Sequence, residues 1–325
     1  MNPSRHVIFF HAPQSRSVGA RILMEELQAD HELRVLDLKA GEQRQLNGFL
    51  ASQGITLPDG RVEVKVLSGN GRVTAYASVV DNLTNDPLLV SGVQVNQLSS
   101  DRYVMPGVAD INNGLASWRT DMRVFNAGTV PEPLTLTFYP QNGSGAPVSR
   151  SVPISAGEVK MLDNVLQSFF SLSNTGGAVH VETPGNSSLV VSGRTYNQTT
   201  AGTYGQFIPA VTPFEAVGKD GRTLNILQVE DSVRYRTNVG LAEVSGKPVT
   251  IELTVVPPDS KVTPKVTMTL GANEFQQIPL LRNLGLTNTY NARITIRVID
   301  GDGKVTAYGS VIDMNTQDPT YVAAQ

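Results

Sequence analysis

Cysteine is absent from the 325-residue chain, so disulfide bonds and thiolate metal sites are both excluded. Aromatic residues make up only 6% of the sequence and form no visible platform for sugar rings. The formal net charge is −3, and lysine and arginine are dispersed along the chain. This balance argues against nucleic acid and anionic membrane surfaces as partners, because both are held by clustered basic side chains. No apolar run approaches the roughly 18–20 residues that would cross a bilayer.

The N-terminus also lacks a recognisable export signal. Its apolar stretch is limited to Val7–Phe10, whereas a signal peptide needs roughly 7–15 apolar residues and a small-residue cleavage site. The absence of cysteine is compatible with the cytosol and with export of domains large enough to fold without disulfides. The sequence therefore predicts either a cytosolic protein or a processed form of an exported one.

What the chain does contain is an internal repeat, a feature that decides the architecture of such a sequence. Residues 66–81 read VLSGNGRVTAYASVVD and residues 298–313 read VIDGDGKVTAYGSVID, at an offset of 232 without a gap. Half that offset, 116 residues, locates a middle copy. The three aligned segments are KAGEQRQL at 39–46, SAGEVKML at 155–162 and GANEFQQI at 271–278. We therefore predict three related copies.

The repeat also predicts the domain boundaries. The openings Trp118–Asp121 and Tyr235–Asn238 match, whereas residue 1 falls just inside the first copy, which is predicted to lack its opening strand. The predicted modules span residues 1–98, 99–212 and 213–325. The lead-in segments that begin at Tyr103 and Phe207 carry proline and glycine but keep apolar residues. We expect them to pack on a neighbouring module rather than to act as free linkers.

The pattern within each copy predicts strands. Leu134–Tyr139 and Val249–Val256 alternate apolar and polar residues and are rich in β-branched side chains. Arg293–Ile299 and Val305–Ile312 are separated by glycine-bearing residues, which predicts a β-hairpin. Ser68–Gly71 predicts the same turn in the first copy.

One short helix per copy is also predicted. Residues 46–53, 162–169 and 278–284 place apolar side chains at helical spacing over about two turns, too short to be stable without packing. We interpret each as a crossover between two sheets. The predicted fold is all-β: tandem immunoglobulin-like β-sandwich modules with one short helical crossover per module.

The array resembles repeat modules of secreted and cell-surface bacterial proteins, which are often uncharacterised or appended to exported hydrolases. The resemblance rests on the W/Y-R-T-D/N opening, the central A-G-E, and two alternating endings. One ending is TAYASVVDNLTNDP at residues 74–87, and the other is SGRTYNQTTAGTYGQFIPA at residues 192–210. The resemblance covers nearly the whole chain. It implies immunoglobulin-like sandwiches in an extracellular setting with no catalytic role, and it brings no functional residues with it.

No catalytic constellation is visible. No serine lies in a Gly-x-Ser-x-Gly elbow, and there is no cysteine nucleophile. Gly240–Lys247 resembles a phosphate-binding loop only superficially, because its glycine spacing is wrong and Pro248 replaces the required Ser or Thr. The four histidines are His6, His11, His31 and His180. His6 and His11 point to opposite faces of a presumed strand, so we predict structural roles rather than a shared metal.

Four aspartates are candidate calcium ligands. Asp300 and Asp302, together with Asp313 and Asp318, could supply the oxygen ligands that Ca²⁺ prefers at one end of the third module. The corresponding turn of the first copy, Ser68–Gly71, has neither carboxylate. A hydrophilic hairpin tip explains the residues fully and is the simpler interpretation. No other metal or cofactor site is predicted.

The Thr-Ala-Tyr-x-Ser strand that precedes Asp81 and Asp313 repeats in the first and third copies. One interpretation is a shared edge for a ligand or partner. The other, which we favour, is that Tyr76 and Tyr308 are half-buried with hydrogen-bonded hydroxyls, since duplication alone produces the repetition. By the same reasoning Trp118 is predicted to lie in the core.

These observations predict a non-enzymatic structural or adhesive protein at a bacterial cell surface: a stalk, surface coat or filament subunit. The alternative is a carbohydrate- or protein-binding appendage of a larger exported hydrolase. The expected partner is a protein or polysaccharide of the cell surface, and the expected location is extracellular despite the missing export signal. A first module without its opening strand is also predicted to self-associate by accepting a strand from another chain.

Overall fold

The computed structural model describes residues 36–52, 54, 60–95, 99–258 and 262–325. The described chain is nearly all β, in several antiparallel sheets. It divides into two compact units, residues 1–76 and 77–325. Across the described residues no helix is long and apolar enough to span a membrane. The all-β prediction is confirmed.

The first unit holds little regular structure in its described part. Helix α1 (Phe49–Ser52) is a single turn, and residues 60–75 form no strand. The strand–turn–strand predicted around Ser68–Gly71 is therefore wrong for this copy. His6, His11 and His31 lie outside the described residues, so their predicted roles stay predictions.

Strand β1 (Tyr76–Val80) starts at the last residue of the first unit and otherwise belongs to the second; it forms a two-stranded sheet with β2 (Pro87–Ser91). The next elements are β3 (Ser100–Asn112), β4 (Ser117–Asn126), β5 (Glu132–Pro140), β6 (Val148–Ile154), β7 (Val159–Leu162), α2 (Val165–Ser168), β8 (Thr175–Ser187), β9 (Leu189–Thr199) and β10 (Gly202–Pro209). These strands pair in the order β10-β9-β4-β3-β8-β5-β6, and β7 also pairs with β4.

Strand β3 passes from one sheet layer to another. Residues 100–110 pair with β8, and the last two residues pair with β4. The register shifts next to Gly107, whose φ of +78° is a conformation that glycine adopts at low cost. The layer β3-β8-β5-β6 and the layer β7-β4-β9-β10 enclose one core, in which Met105, Met122 and Leu136 are fully buried. The arrangement is sandwich-like.

The remaining strands enclose a second core. They are β11 (Thr223–Asp231), β12 (Tyr235–Glu243), β13 (Val249–Val256), β14 (Lys265–Leu270), β15 (Phe275–Ile278), β16 (Thr289–Gly301), β17 (Val305–Asp313) and β18 (Pro319–Ala323), with α3 (Leu280–Asn283) between β15 and β16. Their sheets have the orders β11-β16-β13-β14 and β15-β12-β17-β18. Val239, Ile251 and Ile294 are fully buried between them.

The predicted strands and helices agree with this architecture. Strand β13 has the predicted bounds, and its residues alternate between buried and half-buried. Strand β5 contains the predicted Leu134–Tyr139. Each of the three predicted helical segments contains one of the single-turn helices. The period-two and helical patterns were therefore sufficient to locate these elements.

The hairpin predicted around Asp300–Gly303 is wrong. Strand β16 pairs with β11 and β13, whereas β17 pairs with β12 and β18, so the connection crosses between two sheets. The glycines of this segment allow its backbone to pass close to neighbouring backbone; they do not form a two-residue hairpin turn. A Cβ at Gly303 would lie 2.1 Å from the carbonyl oxygen of Lys247, and Gly301 has a φ of +88°.

Three turns share one construction. In each, Oε2 of a glutamate accepts the backbone N–H of the residue three positions earlier, at 2.7, 2.7 and 2.6 Å for Glu42, Glu158 and Glu274. The residue before each glutamate has positive φ: Gly41, Gly157 and Asn273. These are the aligned A-G-E positions of the sequence, so the motif specifies a local turn.

The first lead-in segment, residues 103–115, lies mostly in β3, whereas the second, residues 207–229, joins the end of β10 to β11 through residues 210–222, in which the only β-pairing is by isolated bridges. Tyr103–Val108 belongs to β3, and Val104 forms a bridge with Val211, just after β10. A second bridge joins Val217 to Val305. The expectation that these segments pack on neighbouring structure agrees with both bridges. The boundaries proposed near residues 98 and 212 stay predictions.

Candidate functional site: the junction around strand β10

Strand β10 lies at an edge of its sheet and pairs with β9 along one side. Its sequence starts Gly202-Thr-Tyr-Gly205. A Cβ at Gly205 would lie 2.8 Å from Cβ of Tyr196, so the position requires glycine. An open strand edge presents unpaired N–H and C=O groups that invite pairing with other chains. We use the name junction for the region in which β10 and β17 contact the rest of the second unit.

The first aspartate turn, residues 81–86, joins β1 to β2. Oδ1 of Asp81 accepts the backbone N–H of Leu83 at 2.8 Å and of Thr84 at 3.3 Å. Asn85 has a φ of +60°, and the N–H of Asp81 donates to the carbonyl of Asp86. Aspartate favours such turns because its side chain bonds to the backbone two residues ahead. The remaining carboxylate oxygens are free to point away from the turn.

Those oxygens cover the edge of β10. Oδ2 of Asp81 accepts both the N–H and the hydroxyl of Thr203, at 2.9 and 2.5 Å. Oδ2 of Asp86 accepts the N–H of Gly205 at 2.8 Å, and the hydroxyl of Thr84 donates to the carbonyl of Thr203 at 2.8 Å. The Thr203 hydroxyl and nearby N–H groups hold the pKa of Asp81 below its usual range. The turn thus satisfies the backbone groups that an edge strand leaves open.

The second aspartate turn, residues 313–318, joins β17 to β18 and has the same internal bonds. Oδ1 of Asp313 accepts the N–H groups of Asn315 and Thr316 at 2.8 and 3.3 Å. Gln317 has a φ of +59°, and the hydroxyl of Thr316 accepts the N–H of Asp318 at 3.2 Å. Its surroundings differ, however. Oδ2 of Asp313 accepts Nε of Arg234 at 3.2 Å.

The carboxylate of Asp318 receives no hydrogen bond from the residues that the structure describes. Burial, followed by the charges of Asp86 and Asp313, raises its pKa to about 6. Burial also raises the pKa of Asp86, although the Gly205 N–H and Arg194 oppose this shift. The two turns therefore lie close enough for their carboxylates to interact.

Tyr308 is fully buried in the junction, with 1% of its surface exposed. Its ring fits where Gly107 and Gly240 have no side chain: a Cβ at either glycine would lie 2.2 Å from a Tyr308 atom. The hydroxyl donates to Oε1 of Gln277 at 3.1 Å. Burial raises the pKa of Tyr308 above its usual range. The predicted hydrogen-bonded tyrosine is confirmed here, although the ring is fully rather than half buried.

Further contacts join β17 and β18 to the strands before residue 212. The hydroxyl of Ser310 donates to Oε1 of Gln206 at 3.0 Å, and both side chains are buried. Tyr321 stacks on Tyr308 with ring centroids 5.4 Å apart, and burial raises its pKa to about 12. A separate apolar cluster surrounds them: Val104, Ala178, Ala216, Ala242, Val244, Phe275 and Tyr308. Apolar and polar contacts therefore reinforce each other at this interface.

Two aromatic predictions are wrong. Tyr76, the counterpart of Tyr308, is 56% exposed. All five residues of β1 are exposed, so the shared sequence does not by itself bury the ring. Trp118 is only half-buried on β4, so it is not a core residue.

The candidate calcium ligands are not brought together. Asp300 and Asp302 precede β17, whereas Asp313 and Asp318 lie at or beyond its far end. A nine-residue strand spans roughly 30 Å, so one ion cannot contact both pairs. Asp300 instead pairs with Nζ of Lys219 at 3.0 Å. Over the described ranges, no group of three or more histidine or acidic side chains is placed to hold a metal.

His180 is buried on β8, as its predicted structural role requires. Its ring lies 4.5 Å from that of Tyr139, and neither ring nitrogen has a hydrogen-bond partner in the described structure. Burial, followed by the charge of Arg102, lowers its pKa to about 3. The imidazole is therefore neutral at physiological pH and acts as an apolar packing group.

Glu243 is a buried carboxylate that sequence reasoning missed. Its two oxygens accept the N–H groups of Ser245, Gly246 and Asn273 at 2.7–2.9 Å, together with the Ser245 hydroxyl. The rejected phosphate-loop segment Gly240–Lys247 is thus the end of β12 followed by a glutamate-capped turn. An acidic residue two positions before a Ser-Gly pair was the available signal.

Two clefts of the described structure are small, at about 220 and 230 Å³. The larger of the two is lined by residues that include Tyr139, Asn273 and Glu274. Small-molecule sites usually occupy roughly 300–1,000 Å³ and are more enclosed. The carboxylates of Asp81, Asp86 and Glu243 instead accept backbone N–H groups.

The sequence matches no protein-family model and no curated protein. Among solved structures, Thermotoga maritima 1070 aligns at 13% identity over 34% of this chain and 93% of that one, with a TM-score of 0.29. A Bacteroides uniformis β-glucuronidase aligns at 15% identity over 69% of this chain and 25% of that one, with a TM-score of 0.15. This chain thus spans about a quarter of that β-glucuronidase. At such scores the likenesses support no conclusion about fold or function.

Proposed function

We propose that the chain is a non-enzymatic structural protein of a bacterial cell surface, a stalk, coat or filament subunit built from tandem immunoglobulin-like sandwich modules. The observation that carries the proposal is the junction. Buried tyrosine, paired glycines and carboxylate caps are concentrated where strands around separate cores meet. Contacts of this kind resist movement between modules, which suits a protein whose task is to bear or transmit load.

Two further observations support the repeat in this proposal. The strand orders β3-β8-β5-β6 and β11-β16-β13-β14 correspond position by position along the chain. The glutamate turns recur at the three aligned positions, including the one in the first unit. Duplication of one sandwich is the simplest source of both features.

Residual dipolar couplings measure whether the junction is rigid. We expect the backbone amides of residues 100–209 and 223–325 to fit one alignment tensor in the wild-type chain. Tyr308→Ala should give two different tensors, while Tyr76→Ala should leave the shared tensor unchanged. Separate tensors in the wild type would contradict a load-bearing junction.

Activity and glycan assays test the competing functions. We expect the purified chain to show no hydrolytic turnover. Hydrolysis that a single substitution abolishes would overturn the non-enzymatic assignment. Saturable binding on a glycan array, combined with separate alignment tensors, would instead favour a carbohydrate-binding appendage of a larger hydrolase.

A further inference from the structure

The two aspartate turns are built alike but differ in what they hold. The first turn directs Oδ2 of Asp81 and Oδ2 of Asp86 at N–H groups two residues apart on β10. In the second turn, Arg234 contacts Asp313, and Asp318 receives no donor from the described residues. The carboxylates of the first turn therefore accept hydrogen bonds from β10, whereas the corresponding carboxylates of the second turn lack such donors, apart from Arg234, among the described residues.

We propose that the second aspartate turn is a docking site for an edge strand of the β10 type carried by another polypeptide. The first turn defines the chemistry of this strand. It presents two backbone N–H donors at positions i and i+2, a threonine at the first and a glycine at the second, as Thr203 and Gly205 do. The carbonyl of the threonine accepts a turn hydroxyl, which Thr84 supplies in the first turn and Thr316 would supply in the second.

The groups of the second turn are accessible to such a strand. Thr316 is exposed, and its hydroxyl has no acceptor among the described residues. Arg234 is largely exposed, so its ion pair with Asp313 is weak and easily displaced. Asp318 is half-buried without a donor, a state that an incoming N–H would stabilise.

The occupant must come from outside this chain's own junction. The N–H groups of Thr203 and Gly205 are already bonded to the first turn, so β10 cannot serve both turns at once. A β-sandwich module with an edge strand of sequence Gly-Thr-x-Gly in another polypeptide fits the acceptor pattern. This inference stands on the two turns and does not depend on the proposed structural role.

The test uses a cyclised peptide of residues 189–209, which contains the β9–β10 hairpin, titrated against the full chain by fluorescence anisotropy. We expect saturable binding. Methylation of the peptide nitrogens at Thr203 and Gly205 should abolish it, because it removes both donors. The chain variant with Asp313→Ala and Asp318→Ala should bind at least tenfold more weakly, and Asp300→Ala, the matched exposed control, should bind as the wild type does.

Thr316→Val provides a second variant and should weaken binding several-fold by removing the hydroxyl donor. Thr316→Ser is its control, because it keeps the hydroxyl, which also accepts the N–H of Asp318 within the turn, and should bind as the wild type does. Three results would overturn the proposal. They are absence of binding at millimolar peptide, binding that survives methylation of both nitrogens, and binding lost in Asp81→Ala with Asp86→Ala but kept in the Asp313 and Asp318 variant.

Discussion

Strands β1 and β17 carry nearly the same sequence and lie in opposite surroundings. Residues 76–80 are all exposed, whereas residues 308–312 are buried except for Val311. Gly107 and Gly240 leave the space that the Tyr308 ring occupies, and Oε1 of Gln277 accepts a hydrogen bond from the Tyr308 hydroxyl. The comparison shows that the strand sequence permits burial, while the partner strands decide whether burial occurs.

The turns that follow these two strands show the opposite difference: the carboxylates of the turn after the exposed strand accept more hydrogen bonds from outside the turn than those of the turn after the buried strand. After the exposed β1, the first aspartate turn is fully engaged with β10. After the buried β17, the two carboxylates of the second aspartate turn hold only the exposed Arg234 among the described side chains, while Arg236 donates to Oε1 of Gln317 in the same turn. Each copy of this hairpin thus uses a different part of the same sequence: the first uses its turn and the third uses its strand.

The largest expected effect comes from removing the buried ring. Tyr308→Ala should lower the free energy of unfolding by about 3–5 kcal/mol, because it leaves a cavity and an unpaired Gln277. Tyr76→Ala should change it by less than about 0.5 kcal/mol, as exposed positions usually do. Urea denaturation followed by circular dichroism measures both. Equal losses in the free energy of unfolding would mean that the two strands are equivalent, which would contradict this comparison.

Filling the space beside Tyr308 should have the next largest effect. In Gly240→Ala the new Cβ would lie 2.2 Å from Tyr308 Cε1, so the ring must shift at a cost of about 1–3 kcal/mol. Gly218→Ala is the matched control, since its nearest neighbour would be at an ordinary 3.5 Å. Thermal melts of both variants provide the measurement. A neutral Gly240→Ala would show that the ring is loosely held.

Truncation of Asp86, which accepts a backbone hydrogen bond, and truncation of Asp318, which accepts none from the described residues, should change stability differently. Asp86→Ala removes the acceptor of the Gly205 N–H and should destabilise the protein by about 1–3 kcal/mol at pH 7. Asp318→Ala removes a half-buried carboxylate without a donor and should be neutral or stabilising. Denaturation midpoints compare them. A larger loss for Asp318→Ala would mean that this carboxylate already has a partner.

The smallest effect is a pH dependence specific to Asp318. Its folded-state pKa of about 6 exceeds the ordinary 3.8, so the folded state binds more protons between these values. Stability should therefore be higher below pH 4 and fall as pH rises towards 6, if other groups are held constant. The melting-temperature difference between wild type and Asp318→Asn isolates this contribution. A difference that does not change between pH 4 and pH 7 would contradict the raised pKa.

The sequence predicted local features well and contacts between segments poorly. Alternation located β13 to the residue, because a half-buried strand must follow period two. The Asp300–Gly303 hairpin failed because glycines permit a tight turn and a crossing between sheets equally well, and the choice depends on which strands pair. The prediction of one calcium site was wrong because β17 separates Asp300 and Asp302 from Asp313 and Asp318 by its full length.

The junction shows the same limit. The repeated aspartates were visible as a motif, and an edge for a partner was one of two interpretations of the strand before them. That Asp81 and Asp86 bind Thr203 and Gly205 could not be read from the sequence, because the partners lie about 120 residues apart. Only the pairing of strands in three dimensions brings them together.

Native-state hydrogen exchange tests most directly whether the junction acts as one structural element. The amides of Thr203 and Gly205 on β10 and those of Tyr308 and Ser310 on β17 should open with the same free energy, because they belong to one cooperative unit. Asp86→Ala should lower the protection of Gly205 selectively. Exchange of the β10 amides at rates typical of a free edge strand, with β17 still protected, would contradict the account.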